Sequence, residues 1–138
     1  MASKKDYLHL IHELEVESNE LGKSGVKSIH IANNLKISKA SVSEMLRKLE
    51  KEKLIKFSPY SKIYLTTKGR KQAKQIHHKH KTLTKFIQKL TDFELKKARQ
   101  EAHKLKHSLS DETLKKILEL MELENPQNKI KPIPSYVN

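Results

Sequence analysis

Apolar positions recur at three- and four-residue steps over most of this chain, and the rhythm breaks once, over a short stretch near its middle. Between residues 6 and 19, Tyr7, Leu10, Ile11 and Leu14 form one side of a helix, and Asp6, His9 and Glu13 run along a neighbouring stripe. Two glycines and a serine in residues 19–25 mark a loop. Ile29, Ala32 and Leu35 define a short second helix, which residues 33–37 interrupt. Ser38 is placed to cap a third helix, because its hydroxyl can accept an early helical N–H, and Val42, Met45, Leu46 and Leu49 are the buried stripe of that helix. Residues 54–57 then read as a strand, 58–62 as a turn around Pro59, and 63–65 as the returning strand. Two helices joined by a tight break and followed by a β-hairpin predict a winged helix-turn-helix.

The second half is helical throughout. Thr67 is the expected cap of a helix from residue 68 to about 89, with Ala73, Ile76, Leu83, Ile87 and Leu90 as its stripe and His80 inside that stripe. A further helix is expected from Asp92, turning Leu95, Ala98, Ala102 and Leu105 inward. A last helix, capped by Ser110, carries Leu114, Ile117, Leu118 and Met121, a stripe that needs either the preceding helices or a second subunit to cover it. Asn125-Pro126 ends it, and 127–138, with Pro132 and Pro134, is expected to be extended. The predicted fold is therefore mainly α. A winged helix-turn-helix occupies 1–67, a second, helical lobe 68–124, and an extended tail 125–138.

Composition narrows the function. Of 138 residues, 29 are Lys or Arg and 16 Asp or Glu, a formal net charge of +13, which favours a polyanionic partner. With no apolar run near the ~20 residues that span a bilayer and no apolar leader, the chain is expected to be cytoplasmic and nucleic acid to come before membrane. The predicted third helix leaves Ser38, Lys39, Ser41, Ser43 and Glu44 facing outward at its start, short or polar residues that can reach base edges and phosphates from a major groove. Lys56, Lys62 and Arg70 are expected near phosphates. The plainer alternative is a set of hairpins that merely pack a core; the basic surface together with the helix-turn-helix pattern argues against it.

There is no cysteine, which excludes disulfides and thiolate zinc sites, but there are eight histidines. His9, His80, His103 and His107 lie on or beside the inward faces of three predicted helices, while His77 and His78 point to other faces. His103 and His107, four residues apart, project from one side of a helix and can chelate one divalent ion, and Asp6 offers a carboxylate one turn before His9. A histidine on a helix is ordinarily a core or surface residue, and an i, i+4 pair often arises without function, so spacing alone favours the ordinary reading and leaves the metal reading open.

Over nearly its whole length the chain resembles the diphtheria toxin repressor family of metal-dependent transcriptional repressors. The resemblance is carried, in order, by D-Y-L-H-L-I-H-E-L-E, I-A-N-N-L-K-I-S-K-A-S-V-S-E-M-L-R-K-L-E, L-T-T-K-G-R, the K-H at 79–80, E-A-H-K-L-K-H-S-L-S-D-E and K-P-I-P. In length it is similar to the manganese transport regulator branch, which lacks the additional SH3-like domain. The resemblance implies a homodimer bound to a double-stranded DNA operator, with a metal site between the lobes whose occupancy tightens that binding. Asp6, His80 and His107 stand at family ligand positions; His9 replaces a Glu of the manganese regulators, and His103 replaces a Glu or Cys. Lys106 stands where the family has a ligating Glu, and Thr84 where the longer branch has another, which leaves at least one of the family's two metal sites incomplete. The implied cofactor is a divalent transition metal, Mn²⁺ or Fe²⁺, with the imidazole-rich set extending the choice to Zn²⁺, Co²⁺ or Ni²⁺.

The expected function is a metal-dependent DNA-binding repressor of genes for metal uptake or homeostasis. The alternative is a constitutive DNA-binding protein of the same fold that has lost its metal response, for which Lys106 is the best support. An enzyme is not expected: there is no Gly-rich phosphate loop, no H-E-x-x-H and no nucleophile elbow, and three glycines are too few for a phosphate cradle. No small organic substrate and no membrane partner are expected.

Overall fold

A computed structural model describes residues 2–58 and 61–123. Among them are six helices and one hairpin: α1 (Lys4–Glu20), α2 (Ser28–Leu35), α3 (Lys39–Lys51), β1 (Ile55–Phe57), β2 (Ile63–Leu65), α4 (Thr67–Thr91), α5 (Leu95–Ser108) and α6 (Asp111–Leu123). They fall into two compact units, the first ending at His77 and the second beginning at His78. No helix among the described residues is long and apolar enough to cross a membrane. The expected turn at Pro59 and the expected extended tail lie outside the described residues.

In the first unit, α1 starts at a reciprocal cap. The Ser3 hydroxyl accepts the Asp6 N–H at 3.2 Å, and the Asp6 carboxylate accepts the Ser3 N–H at 2.9 Å. Tyr7, Leu8 and Ile11 go fully inward, with Leu10 and Leu14 at the rim of the core. α2 buries Ile31 and Ala32 and leaves Ile29 37% exposed, so its inward face is turned from the one its three-residue spacing suggests. Lys36 takes a left-handed conformation (φ 55°) that ends α2, and Ser38 begins α3 by accepting the Ser41 N–H at 3.1 Å. Val42, Leu46 and Leu49 complete the core from α3, with Met45 at its edge.

The wing is antiparallel, pairing Ile55 with Leu65, Lys56 with Tyr64 and Phe57 with Ile63. Val26, just before α2, bridges to Ile63 through two hydrogen bonds of 2.9 and 2.8 Å, so the helix-turn-helix and the wing share one small sheet. α4 is capped by Thr66, one residue earlier than the sequence suggests: the Thr66 hydroxyl accepts the Gly69 N–H at 3.0 Å and donates to the Lys53 carbonyl at 2.7 Å. Gly69 is required there, since a Cβ would lie 1.9 Å from the Leu54 carbonyl oxygen. Glu15 is the buried acid of this unit. Its carboxylate accepts the Leu65 N–H at 3.2 Å and pairs with Arg70, tying α1 to the wing and to the first turn of α4.

In the second unit, Leu83, Ile87, Ala98 and Ala102 form the buried centre, flanked by the half-buried Phe86, Phe93, Leu105, Leu114 and Ile117. Asp92 has φ 61° and ends α4, so α5 begins at Leu95 rather than at Asp92. The Thr91 hydroxyl donates to the Ile87 carbonyl at 2.7 Å and accepts the Phe93 N–H at 3.2 Å. Ser110 caps α6 by accepting the Thr113 N–H at 3.2 Å. Leu90 and Leu95, both expected inside, are 66% and 47% exposed.

Candidate functional site

α3 presents its buried stripe to the core and therefore turns its other side to solvent. Ser38, Lys39, Ser41, Ser43 and Glu44 are all exposed. Ser38 donates to the Ser41 hydroxyl at 3.0 Å while capping the helix, so these two side chains are held against the first turn. Lys39 and Ser43 continue at the same four-residue step to Arg47, also exposed. That stripe was visible in the sequence, and extending it one turn would have added Arg47 to the candidate DNA contacts. On the wing, Lys56 is exposed and Lys62 half-buried. Arg70 is engaged by Glu15, with its side chain 41% exposed, so its guanidinium braces the first unit as well as facing solvent. Lys68 donates to the Glu52 carbonyl at 3.2 Å, and Lys4 pairs with Glu52 at 2.7 Å.

The candidate ligands are set by three helices. Asp6 uses one carboxylate oxygen in the cap of α1. His80 is half-buried in α4, where its carbonyl accepts the buried Thr84 hydroxyl at 2.8 Å. His103 and His107 are exposed one turn apart on α5 with ring centroids 4.8 Å apart, edge to face, and Lys106 is half-buried on the same helix. His9 Nε2 lies 3.0 Å from the Glu13 carboxylate and 3.1 Å from His77 Nδ1. The structure thus brings His103 to His107 in the second unit, and joins His9 to Glu13 and His77 in the first. Periodicity placed His77 on another face because it judges α4 alone; that α1 packs against that face is decided by tertiary contacts. His12 is nearby, its ring 6.0 Å from that of His77. Burial lowers the His12 pKa; Glu15 opposes the shift, and His9, Lys74 and Arg70 add to it.

Comparison with known proteins covers both units. Residues 1–63 match the family model of the iron-dependent repressor N-terminal DNA-binding domain. Residues 66–135 match that of the iron-dependent repressor metal-binding and dimerisation domain. An uncharacterized HTH-type transcriptional regulator of Methanocaldococcus jannaschii is 37% identical over 120 residues, covering 87% of this chain and 93% of its own length. The diphtheria toxin repressor of Corynebacterium glutamicum is 27% identical over 130 residues, covering 93% of this chain and 54% of its own. A solved structure of the manganese regulator SloR superposes with a TM-score of 0.68 at 27% identity, over 88% of this chain and 54% of that one. The chain therefore spans about half the length of these last two proteins.

Proposed function

We propose, for a chain that belongs to the iron-dependent repressor family, that it is a metal-dependent DNA-binding transcriptional repressor of metal-uptake or metal-homeostasis genes, acting in the cytoplasm as a homodimer on a double-stranded operator. The observation that carries the reading is the exposed first half of α3, whose short polar residues and lysine sit on a helix-turn-helix and wing within the family's DNA-binding match. Ser38, Lys39, Ser41, Ser43 and Glu44 are the proposed groove contacts, and Lys56, Lys62 and Arg70 the proposed phosphate contacts. Two copies of α3, related by a two-fold axis, then meet two half-sites about one helical turn apart.

Asp6 and His9 from α1, His80 from α4, and His103 and His107 from α5 are the proposed metal ligands. Their chemistry fits: four imidazoles and one carboxylate are good donors for a divalent first-row transition ion and leave no need for thiolate. The bound ion supplies cross-linking rather than reaction chemistry. Holding residues of three helices raises the fraction of dimers whose recognition helices match the operator spacing, and that fraction multiplies DNA affinity. Metal binding requires the imidazoles in their neutral form and therefore weakens in acid. Lys106, a cation at a ligand position, opposes a second ion nearby and limits each subunit to one ion in this set.

The test is operator binding with and without chelator, alongside metal stoichiometry. DNA affinity should fall on the order of tenfold or more on chelation. His103→Ala with His107→Ala should abolish that response, and Lys106→Glu should raise metal capacity. A protein of this fold without metal response would bind DNA equally well with chelator present.

A further inference from the structure

His9, Glu13 and His77 meet between α1 and the first half of α4. His9 Nε2 is 3.0 Å from Glu13 Oε1 and 3.1 Å from His77 Nδ1. A ring nitrogen carries at most one hydrogen in any protonation state. If His9 Nε2 donates to Glu13, it has no lone pair for His77; if it accepts from His77, its lone pair faces a carboxylate. One hydrogen cannot serve both neighbours at full strength, whereas a cation accepts an electron pair from all three.

One donor atom from each of His9, Glu13 and His77 lies within 4.8 Å of the other two. Donors ~2.1 Å from one ion at tetrahedral or octahedral angles are about 3.0–3.4 Å apart, so small side-chain rotations close the set. His9 and Glu13 are one turn apart on α1, and His77 arrives from α4, so the backbone already fixes the approach. The His9 side chain is 12% exposed and that of Glu13 54% exposed, which supports one ligand from the protein side and leaves the outer coordination positions to water.

From this juxtaposition we propose that His9, Glu13 and His77 form a divalent transition-metal site contained within the first unit, with two nitrogens and one carboxylate oxygen selecting an imidazole-preferring ion such as Zn²⁺ or Co²⁺. An ion there would pin α1 to the first half of α4. The site shares His9 with the ligand set proposed above and none of its other members, so the two readings are separable.

The test uses the full chain and Co²⁺ alone as probe, read by its visible ligand-field absorption and by equilibrium dialysis, with circular dichroism reporting the fold. The His103→Ala/His107→Ala protein should still bind one Co²⁺ with an imidazole-bound spectrum. Adding Glu13→Gln and His77→Ala to that protein should remove the bound Co²⁺. Retention of the bound Co²⁺ and its spectrum by the fourfold variant overturns the proposal. A second readout stands beside it: in the His103→Ala/His107→Ala protein, sub-stoichiometric Co²⁺ should broaden the NMR signals of the His9 and His77 rings before that of His30. Broadening of His30 or His80 without His77 overturns it equally. The repressor reading fails on a different result, DNA affinity unchanged by chelator, whichever way these experiments fall.

Discussion

The two units solve the problem of burial differently. Among the described residues, the first closes one core cluster of fourteen buried apolar residues drawn from α1 to α4, the hairpin and the segments that flank them, whereas the core cluster of the second has four, two of them alanines, with Met121 buried apart from it on α6. Among the described residues each unit leaves four large apolar side chains between 36% and 66% exposed, Val16, Leu21, Ile29 and Phe57 in the first and Leu90, Leu95, Leu120 and Leu123 in the second. The second unit lies within the match to a metal-binding and dimerisation domain, so a face that a second copy of the chain would cover is expected there. The first unit has the larger core, which buries one side of α3 while the outward face of that helix stays polar. The family matches assign DNA binding and dimerisation to different halves of the chain.

The sharpest way to break this contrast is within the closed core. Leu49, fully buried on α3, should cost about 3 kcal/mol when changed to alanine, through lost transfer energy and the cavity left behind. Urea unfolding should show that loss regardless of protein concentration. A loss that vanished at high concentration would mean that the first unit also relies on its partner.

Arg70→Ala comes next, at about 1–2 kcal/mol. It leaves the Glu15 carboxylate, 8% exposed, without its cation, though the half-exposed arginine moderates the effect. Because the pair joins α1 to α4 beside the wing, DNA affinity should fall for all sequences together. The same measurement would separate a bracing role from a phosphate contact: loss of a phosphate contact lowers the salt slope by ~1, and loss of a brace leaves the slope in place.

The smallest effect belongs to the second unit. Leu90→Ser with Leu120→Ser should change monomer stability by less than ~0.5 kcal/mol, since both side chains are already exposed, yet weaken dimerisation about tenfold by sedimentation. An unchanged dimer would place the interface elsewhere on the second unit.

Much of this was written in the chain. The helix-turn-helix and wing followed from the switch in apolar period at residues 54–65, and the caps at Ser38 and Ser110 from residue chemistry that acts within one turn. The pair His103 and His107 was legible for the same reason, four residues being one turn. What sequence reading missed depended on a second element. Ile31 rather than Ile29 faces the core because α1 and α3 decide which side of α2 is covered, a choice that a two-turn helix leaves nearly degenerate. Thr66 rather than Thr67 caps α4 because the Leu54 carbonyl draws the backbone in at Gly69. Arg70 meets Glu15 across 55 residues, and His77 meets His9 across 68, because helices from distant parts of the chain pack together. Periodicity encodes which residues share a face and which turn they cap, since those relations are local. Which face meets which is settled only when the elements pack, because that choice depends on the summed shape and burial of all of them.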